Sequence, residues 1–146
     1  MKKIIIYTDG GSRGNPGPSA IGVSYTNEKG EIIKSYSECL GIKTNNEAEY
    51  TAVIMALKKF KSLFGKELAK KTEIEIRSDS ELMVKQLNGE YKLINEKIIP
   101  LFIQIWNLKT EFLKVNFKQI PREKNKEADR LVNEALDSES KSQTLL

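Results

Sequence analysis

Residues 3–8, Lys-Ile-Ile-Ile-Tyr-Thr, form a short apolar, β-branched run that reads as a buried strand, and the run ends on a carboxylate, Asp9. Residues 10–18, GGSRGNPGP, follow as a tight loop with four glycines and two prolines. A carboxylate at the tip of a central strand, faced by an open backbone loop, is costly to desolvate unless something positive sits beside it. A metal ion is the partner such a placement calls for. Three more isolated acids, Glu49, Asp79 and Asp129, stand at comparable junctions further along the chain.

Length and composition bound the answer. With 146 residues, 39% hydrophobic and 30% charged, the chain reads as one domain that buries a core without disulfide support. The single cysteine, Cys39, fits a reducing compartment and is expected to pack as a small apolar side chain. No signal-like apolar segment follows the first lysines, and no run approaches the ~20 residues of a membrane span. The expectation is a cytoplasmic protein with no membrane contact and no obligatory protein partner, acting as a monomer. There is no histidine, which removes His-based zinc sites, Ser-His triads and imidazole bases together. The net charge of +4 permits a polyanionic partner without demonstrating one. The lysines between Lys58 and Lys71 read as a solvated helix face and loop.

Patterning then sets the architecture. Residues 20–27 and 31–39 read as strands of a hairpin joined by the turn-like Asn27-Glu28-Lys29-Gly30. Thr44-Asn45-Asn46-Glu47 matches a capping box and opens a helix whose stripe is Val53, Ala56, Leu57, Phe60, Leu63 and Phe64, with Gly65 as the stop. A strand over 72–77 and a capped helix over 81–87 follow. A further helix carries Ile98, Leu101, Phe102, Ile105, Leu108 and Phe112, then comes a strand over 114–119. Asn125 is expected to cap a last helix reaching about Leu136. Residues 1–137 thus form one domain, and residues 138–146 a polar, flexible tail. Three early strands followed by helix–strand alternation imply an α/β fold, a mixed five-stranded sheet flanked by helices. Functional groups in such folds gather at the carboxyl ends of strands, and Asp9 and Asp79 come into register if the first and fourth strands lie side by side and parallel.

The helical acids fit the same place. Glu49 shares the core-facing stripe of its helix with Val53, Ala56 and Phe60, whereas first-turn acids that only serve the dipole point to solvent. Asp129 lies beside Val132 and Leu136 at the edge of an apolar face, where a flanking salt bridge is the plainer explanation. Asp79, by itself, could be a helix cap. As a constellation, four carboxylates without histidine or cysteine make an all-oxygen site suited to Mg²⁺ or Mn²⁺. A pair of such ions serves in-line attack on a phosphodiester.

Tyr7-Thr8-Asp9-Gly10-Gly11-Ser12 with Gly14-Asn15-Pro16-Gly17, Thr44-Asn45-Asn46-Glu47-Ala48-Glu49, Ser78-Asp79-Ser80 and Asn125-Lys126-Glu127-Ala128-Asp129 together resemble type 1 ribonuclease H. The match is ordered and spans residues 3–137. The resemblance implies the ribonuclease H fold and cleavage of the RNA strand of RNA–DNA hybrids with two Mg²⁺ ions, Mn²⁺ being a substitute, to leave 5′-phosphate and 3′-hydroxyl ends. It implies that Asp9 bridges both ions, that Glu49 and Asp79 complete one shell, and that Asp129 ligates the other ion. It also implies that Gly10, Gly11 and Ser12 approach the RNA strand, that Asn15, Asn45 and Asn46 contact the minor groove, and that Thr44 holds a DNA phosphate.

Three departures from that family stand out. The loop of residues 120–125 has no histidine, a lack shared by some archaeal-type members, and Arg122 there can offer positive charge to a departing phosphate but not proton transfer near neutral pH. The basic protrusion of some bacterial members is missing, and Trp106 is expected to pack in a helical core stripe. Lys43 precedes Thr44 where some members carry an arginine. The alternatives are a module that binds hybrids without cutting and a hydrolase of small phosphate esters. The second lacks any Walker-type element.

Overall fold

The computed structural model describes residues 3–145, with side chains through residue 142. Five strands are present: β1 (Lys3–Ser12), β2 (Gly17–Thr26), β3 (Ile32–Lys43), β4 (Glu73–Ser78) and β5 (Lys114–Gln119). They form a single sheet in the order β3-β2-β1-β4-β5, antiparallel from β1 through β3 and parallel for β1, β4 and β5. Five α-helices complete the fold: α1 (Asn45–Phe64), α2 (Lys66–Lys70), α3 (Glu81–Leu87), α4 (Ile99–Lys109) and α5 (Lys126–Leu145).

The two sheet faces differ because β1 and β4 alternate. Ile4, Ile6, Ile74 and Ile76 point to one side, where Tyr25, Val53, Leu57, Phe60 and Ile105 close the main core. Phe60 is its aromatic centre, with ring centroids 4.8 Å from Phe64 and 5.4 Å from Phe112. On the opposite face the lower half of the sheet is polar, with Lys3 bridging Glu73 and Glu75, and Arg77 bonded to Glu75 and Tyr7. The upper half of that face is covered by α5 through Val132 and Leu136 against Ala20.

Several boundaries move from the sequence reading. The glycine loop shrinks to residues 13–16, because Gly10–Ser12 pair with β2 (Gly10 with Ile21, Ser12 with Ser19) and remain strand. Cross-strand pairing, invisible to local glycine content, decides this. β2 and β3 are likewise longer than the patterning suggested, and the five-residue α2 was not anticipated. The capping box is formed as expected: Glu47 N–H donates to Thr44 Oγ1, and Thr44 N–H to the Glu47 carboxylate. Gly65 ends α1 at φ 91°. The last helix does not stop near Leu136; α5 runs on to Leu145, and Leu146 lies outside the described residues. Trp106 is not core. It is 58% exposed on the outer face of α4, stacked on Phe102 with the Lys109 ammonium over its ring. Leu63 is also exposed.

Candidate active site

β1 and β4 lie side by side and parallel, with Tyr7 opposite Arg77. Two residues further on each strand brings Asp9 level with Asp79 at the upper end of the sheet. The odd residues of β1 face α5 there: a Cβ on Gly11 would meet Val132 at 3.4 Å, and Asp9 lies between Tyr7 and Gly11 on that face. Gly22, paired with Asp9 across the sheet, has no room for a Cβ because the Ala128 carbonyl of α5 occupies that space. This close approach carries Asp129, the next residue of α5, over the end of β1.

Glu49 arrives from the other side. A Cβ on Gly10 would fall into the backbone of Ala48 and Glu49, so only glycine lets α1 close on β1 here. The contact is used: Gly10 N–H donates to Glu49 Oε1 at 2.8 Å. Asp79 is free of capping duty, since Ser80 caps α3 by accepting from Met83 N–H. One carboxylate oxygen from each of Asp9, Glu49 and Asp79 lies within 4.8 Å of the others. Asp129 stands outside that group of three but lines the same cavity of about 500 Å³, together with Gly10, Gly11, Ser12, Asn45 and Arg122.

The electrostatics follow from this crowding. Asp9 is 9% exposed, and burial, then the charges of Asp79 and Asp129, push its carboxyl up to about 7. Burial and then the Asp9 and Asp79 charges push the Glu49 carboxyl well above its ordinary range. Burial also raises Asp79, opposed by the nearby Arg122 guanidinium. Acids that resist ionisation because they are buried and face one another are stabilised as carboxylates by a cation placed among them, and an all-oxygen donor set fits a hard divalent ion. The residues present therefore fit a metal site.

The remaining expected contacts are distributed differently. Asn15, Thr44 and Asn46 do not line the cavity among the described residues. Asn15 Oδ1 accepts from Asn45 N–H at 3.0 Å, and Asn45 Oδ1 accepts from Ser12 N–H at 2.9 Å, so these side chains tie the β1–β2 turn to the start of α1. Asn125 does not cap α5 through its side chain as expected, since its Oδ1 has no hydrogen-bond partner among the described residues. It is 1% exposed, and its Nδ2 donates to the Thr8 carbonyl at 2.9 Å while its side chain also reaches Asp79. Asn125 thereby links β1, the end of β4 and the entry to α5. Its partner is 117 residues away, which no local pattern announces. Arg13, from the glycine-rich turn, and Ser80, the N-cap of α3, also line the cavity, and neither is a site residue in the sequence reading.

A family model described as reverse transcriptase-like matches residues 7–135. A bifunctional protein of Mycobacterium tuberculosis is 36% identical over 141 residues, 96% of this chain and 37% of its own length. The ribonuclease HI of Halobacterium salinarum is 38% identical over 92% of this chain and 65% of its own, and a Clostridium botulinum ribonuclease H is 32% identical over 94% and 97%. The chain thus spans little more than a third of the mycobacterial relative. Among solved structures, a ribonuclease H1 isolated from compost, in complex with an RNA/DNA hybrid, superposes at a TM-score of 0.88 with 48% identity, covering 92% of this chain and 97% of that one. The halobacterial ribonuclease H1 superposes at 0.86 with 36% identity, covering 93% and 98%. Fold and site together define an α/β domain with a carboxylate centre at the upper end of its sheet. The chain belongs to the type 1 ribonuclease H family, within the reverse transcriptase-like group.

Proposed function

We propose that this protein is an endoribonuclease that cleaves the RNA strand of RNA–DNA hybrids, with two divalent ions, Mg²⁺ or Mn²⁺, held by Asp9, Glu49, Asp79 and Asp129. The observation that carries this reading is the convergence of four acids from β1, α1, the end of β4 and α5 on one cavity, three of them pushed toward the protonated state by burial and mutual repulsion. Such a site is destabilised until cations enter it. When bound, the ions supply Lewis-acid stabilisation of the phosphodiester and of the groups entering and leaving it.

The chain's own residues do the rest. Asp9 interacts with each of the other three acids, and Gly10 holds the Glu49 carboxylate through its N–H. Arg122, close enough to Asp79 to oppose its protonation, places a permanent positive charge where a departing phosphate gathers negative charge. Gly10, Gly11 and Ser12 line the floor, where the absence of large side chains admits a sugar–phosphate backbone. Asn45 reaches the cavity directly, while Asn15, Thr44 and Asn46 belong to the outer contact surface for the DNA strand and minor groove. Water attacks phosphorus and the bond to the 3′ oxygen breaks, which leaves 5′-phosphate and 3′-hydroxyl ends.

Supporting this over a non-cutting hybrid binder, all four acids are present and three approach within bonding reach of one ion. No helix among the described residues is long and apolar enough to cross a membrane. The lone, half-buried Cys39 suits a reducing compartment. The test is Mg²⁺-dependent cutting of an end-labelled RNA–DNA hybrid beside double-stranded RNA, duplex DNA and nucleotides, with Asp79→Asn as control. Cutting of the hybrid alone, with 5′-phosphate ends and loss of activity in the variant, is expected. Binding of the hybrid without cutting in either metal would establish the alternative.

A further inference from the structure

The cavity is lined by four carboxylates and, among the described residues, by two cations, Arg122 and Arg13. They approach from different sides: Arg122 beside Asp79, and Arg13 from the turn between β1 and β2. The backbone of Arg13 is fixed. Its N–H donates to the Pro18 carbonyl at 2.8 Å, and its own carbonyl packs so closely on Gly17 that a Cβ there would collide with it. The turn thus fixes where the Arg13 side chain starts, at the edge of the cavity that it lines.

At its far end Arg13 makes one hydrogen bond among the described residues. Nη2 donates to Asp137 Oδ1 on α5 at 2.6 Å, with the two side chains 44% and 60% exposed. An ion pair this open to solvent contributes little to folding, and salt weakens it further. A guanidinium has five donors in a planar fork that matches a phosphate through two parallel bonds, and this pairing engages one nitrogen. Exchanging Asp137 for a phosphate therefore gains a better-matched partner and returns a carboxylate to water, where it is well solvated.

We infer that Arg13 is a substrate-binding residue that takes a backbone phosphate of the nucleic acid beside the carboxylate centre, and that Asp137 is its resting partner, competing with that phosphate. The inference rests on the reading that the cavity accepts a nucleic acid. It assigns to Asp137, which lies outside the cavity, a restraining effect on affinity that acts only through Arg13.

Binding of a fluorescent RNA–DNA hybrid, measured by anisotropy in EDTA over a salt series, tests this beside Mg²⁺-dependent cleavage of the same hybrid. Arg13→Ala should weaken binding about five- to tenfold and reduce the slope of log affinity against log salt by ~0.9, one phosphate contact. In cleavage it should act chiefly on KM. Asp137→Asn should tighten binding about two- to threefold, and should have no effect in the Arg13→Ala background. Arg13→Lys should fall between, since it keeps the charge and loses the fork. An unchanged salt slope in Arg13→Ala, or an Asp137→Asn effect that persists without Arg13, would overturn the inference while wild-type cutting still upheld the functional reading. If the wild type neither binds nor cuts the hybrid, the functional reading fails first and the inference falls with it. Thermal melts of the variants, both changes being at exposed side chains, confirm that the fold is shared.

Discussion

Asp9→Asn should make the metal-free protein more stable, by an amount that depends on pH in a set way. Burial and the charges of Asp79 and Asp129 raise the Asp9 carboxyl from 3.8 to about 7 in the fold. A group raised on folding contributes stability that is fully present below its unfolded value and is lost as pH rises through its folded value. The wild type therefore loses stability between about pH 4 and pH 7, and a difference of roughly three pH units corresponds to on the order of 4 kcal/mol at pH 8. Asparagine keeps the shape of the side chain and has no charge to desolvate. Its advantage should be about 1 kcal/mol at pH 4.5 and approach 4 kcal/mol at pH 8. At roughly 2–4 °C per kcal/mol for a chain of this size, the gain in Tm at pH 8 is about 10 °C. Melts of both proteins in EDTA at pH 4.5, 6 and 8 measure it, and millimolar Mg²⁺ should then raise the wild type far more than the variant. A gain that stays constant with pH, or a variant less stable at pH 8, would refute the account of the site as a cluster of mutually repelling acids.

The same protonation predicts that divalent-ion affinity falls about tenfold per pH unit below pH 7, with protons released on binding; calorimetry in two buffers of different ionisation heat reads both, and a flat affinity would contradict it. Gly10→Ala should cost about 3 kcal/mol or more, because its Cβ meets the Ala48 and Glu49 backbone, whereas Gly11→Ala meets only the Val132 side chain at 3.4 Å and should cost under ~1 kcal/mol. Denaturant melts separate the two, and equal losses would mean that both glycines matter only for local conformation. Asn125→Ala should leave the buried Thr8 carbonyl unpaired, at about 1–3 kcal/mol, and lower metal affinity through the loosened Asp79; an unchanged melt would remove that residue from the support of the site. Phe60→Ala, at the centre of the aromatic cluster, should cost about 3–5 kcal/mol in the same measurement.

Local chemistry alone made much of this protein readable. The capping box at Thr44 and the stop at Gly65 depend on interactions within a few residues, and both stand in the structure as the sequence reading has them; the strand over 114–119 is also where it was read, though its hydrogen bonds run to β4. Asp9 and Glu49 were legible because a carboxylate on an apolar strand end or on a core-facing helix stripe conflicts with its surroundings unless a cation is near, whereas Asp79 and Asp129 became candidates only as members of the constellation. What the sequence could not state is what distant segments do to each other. Pairing with β2 kept Gly10–Ser12 in β1, and the long α5 carries Asp137 to Arg13, 124 residues away. Asn125 turned from a helix cap into a tie between β1 and Asp79, and Trp106 turned outward because the neighbours of α4 leave that side of the helix uncovered. Hydrogen bonds within a turn of helix are written in the order of residues. The packing of one element on another is decided only when the sheet order brings their faces together, and there the pKa of Asp9 and the partner of Arg13 are set.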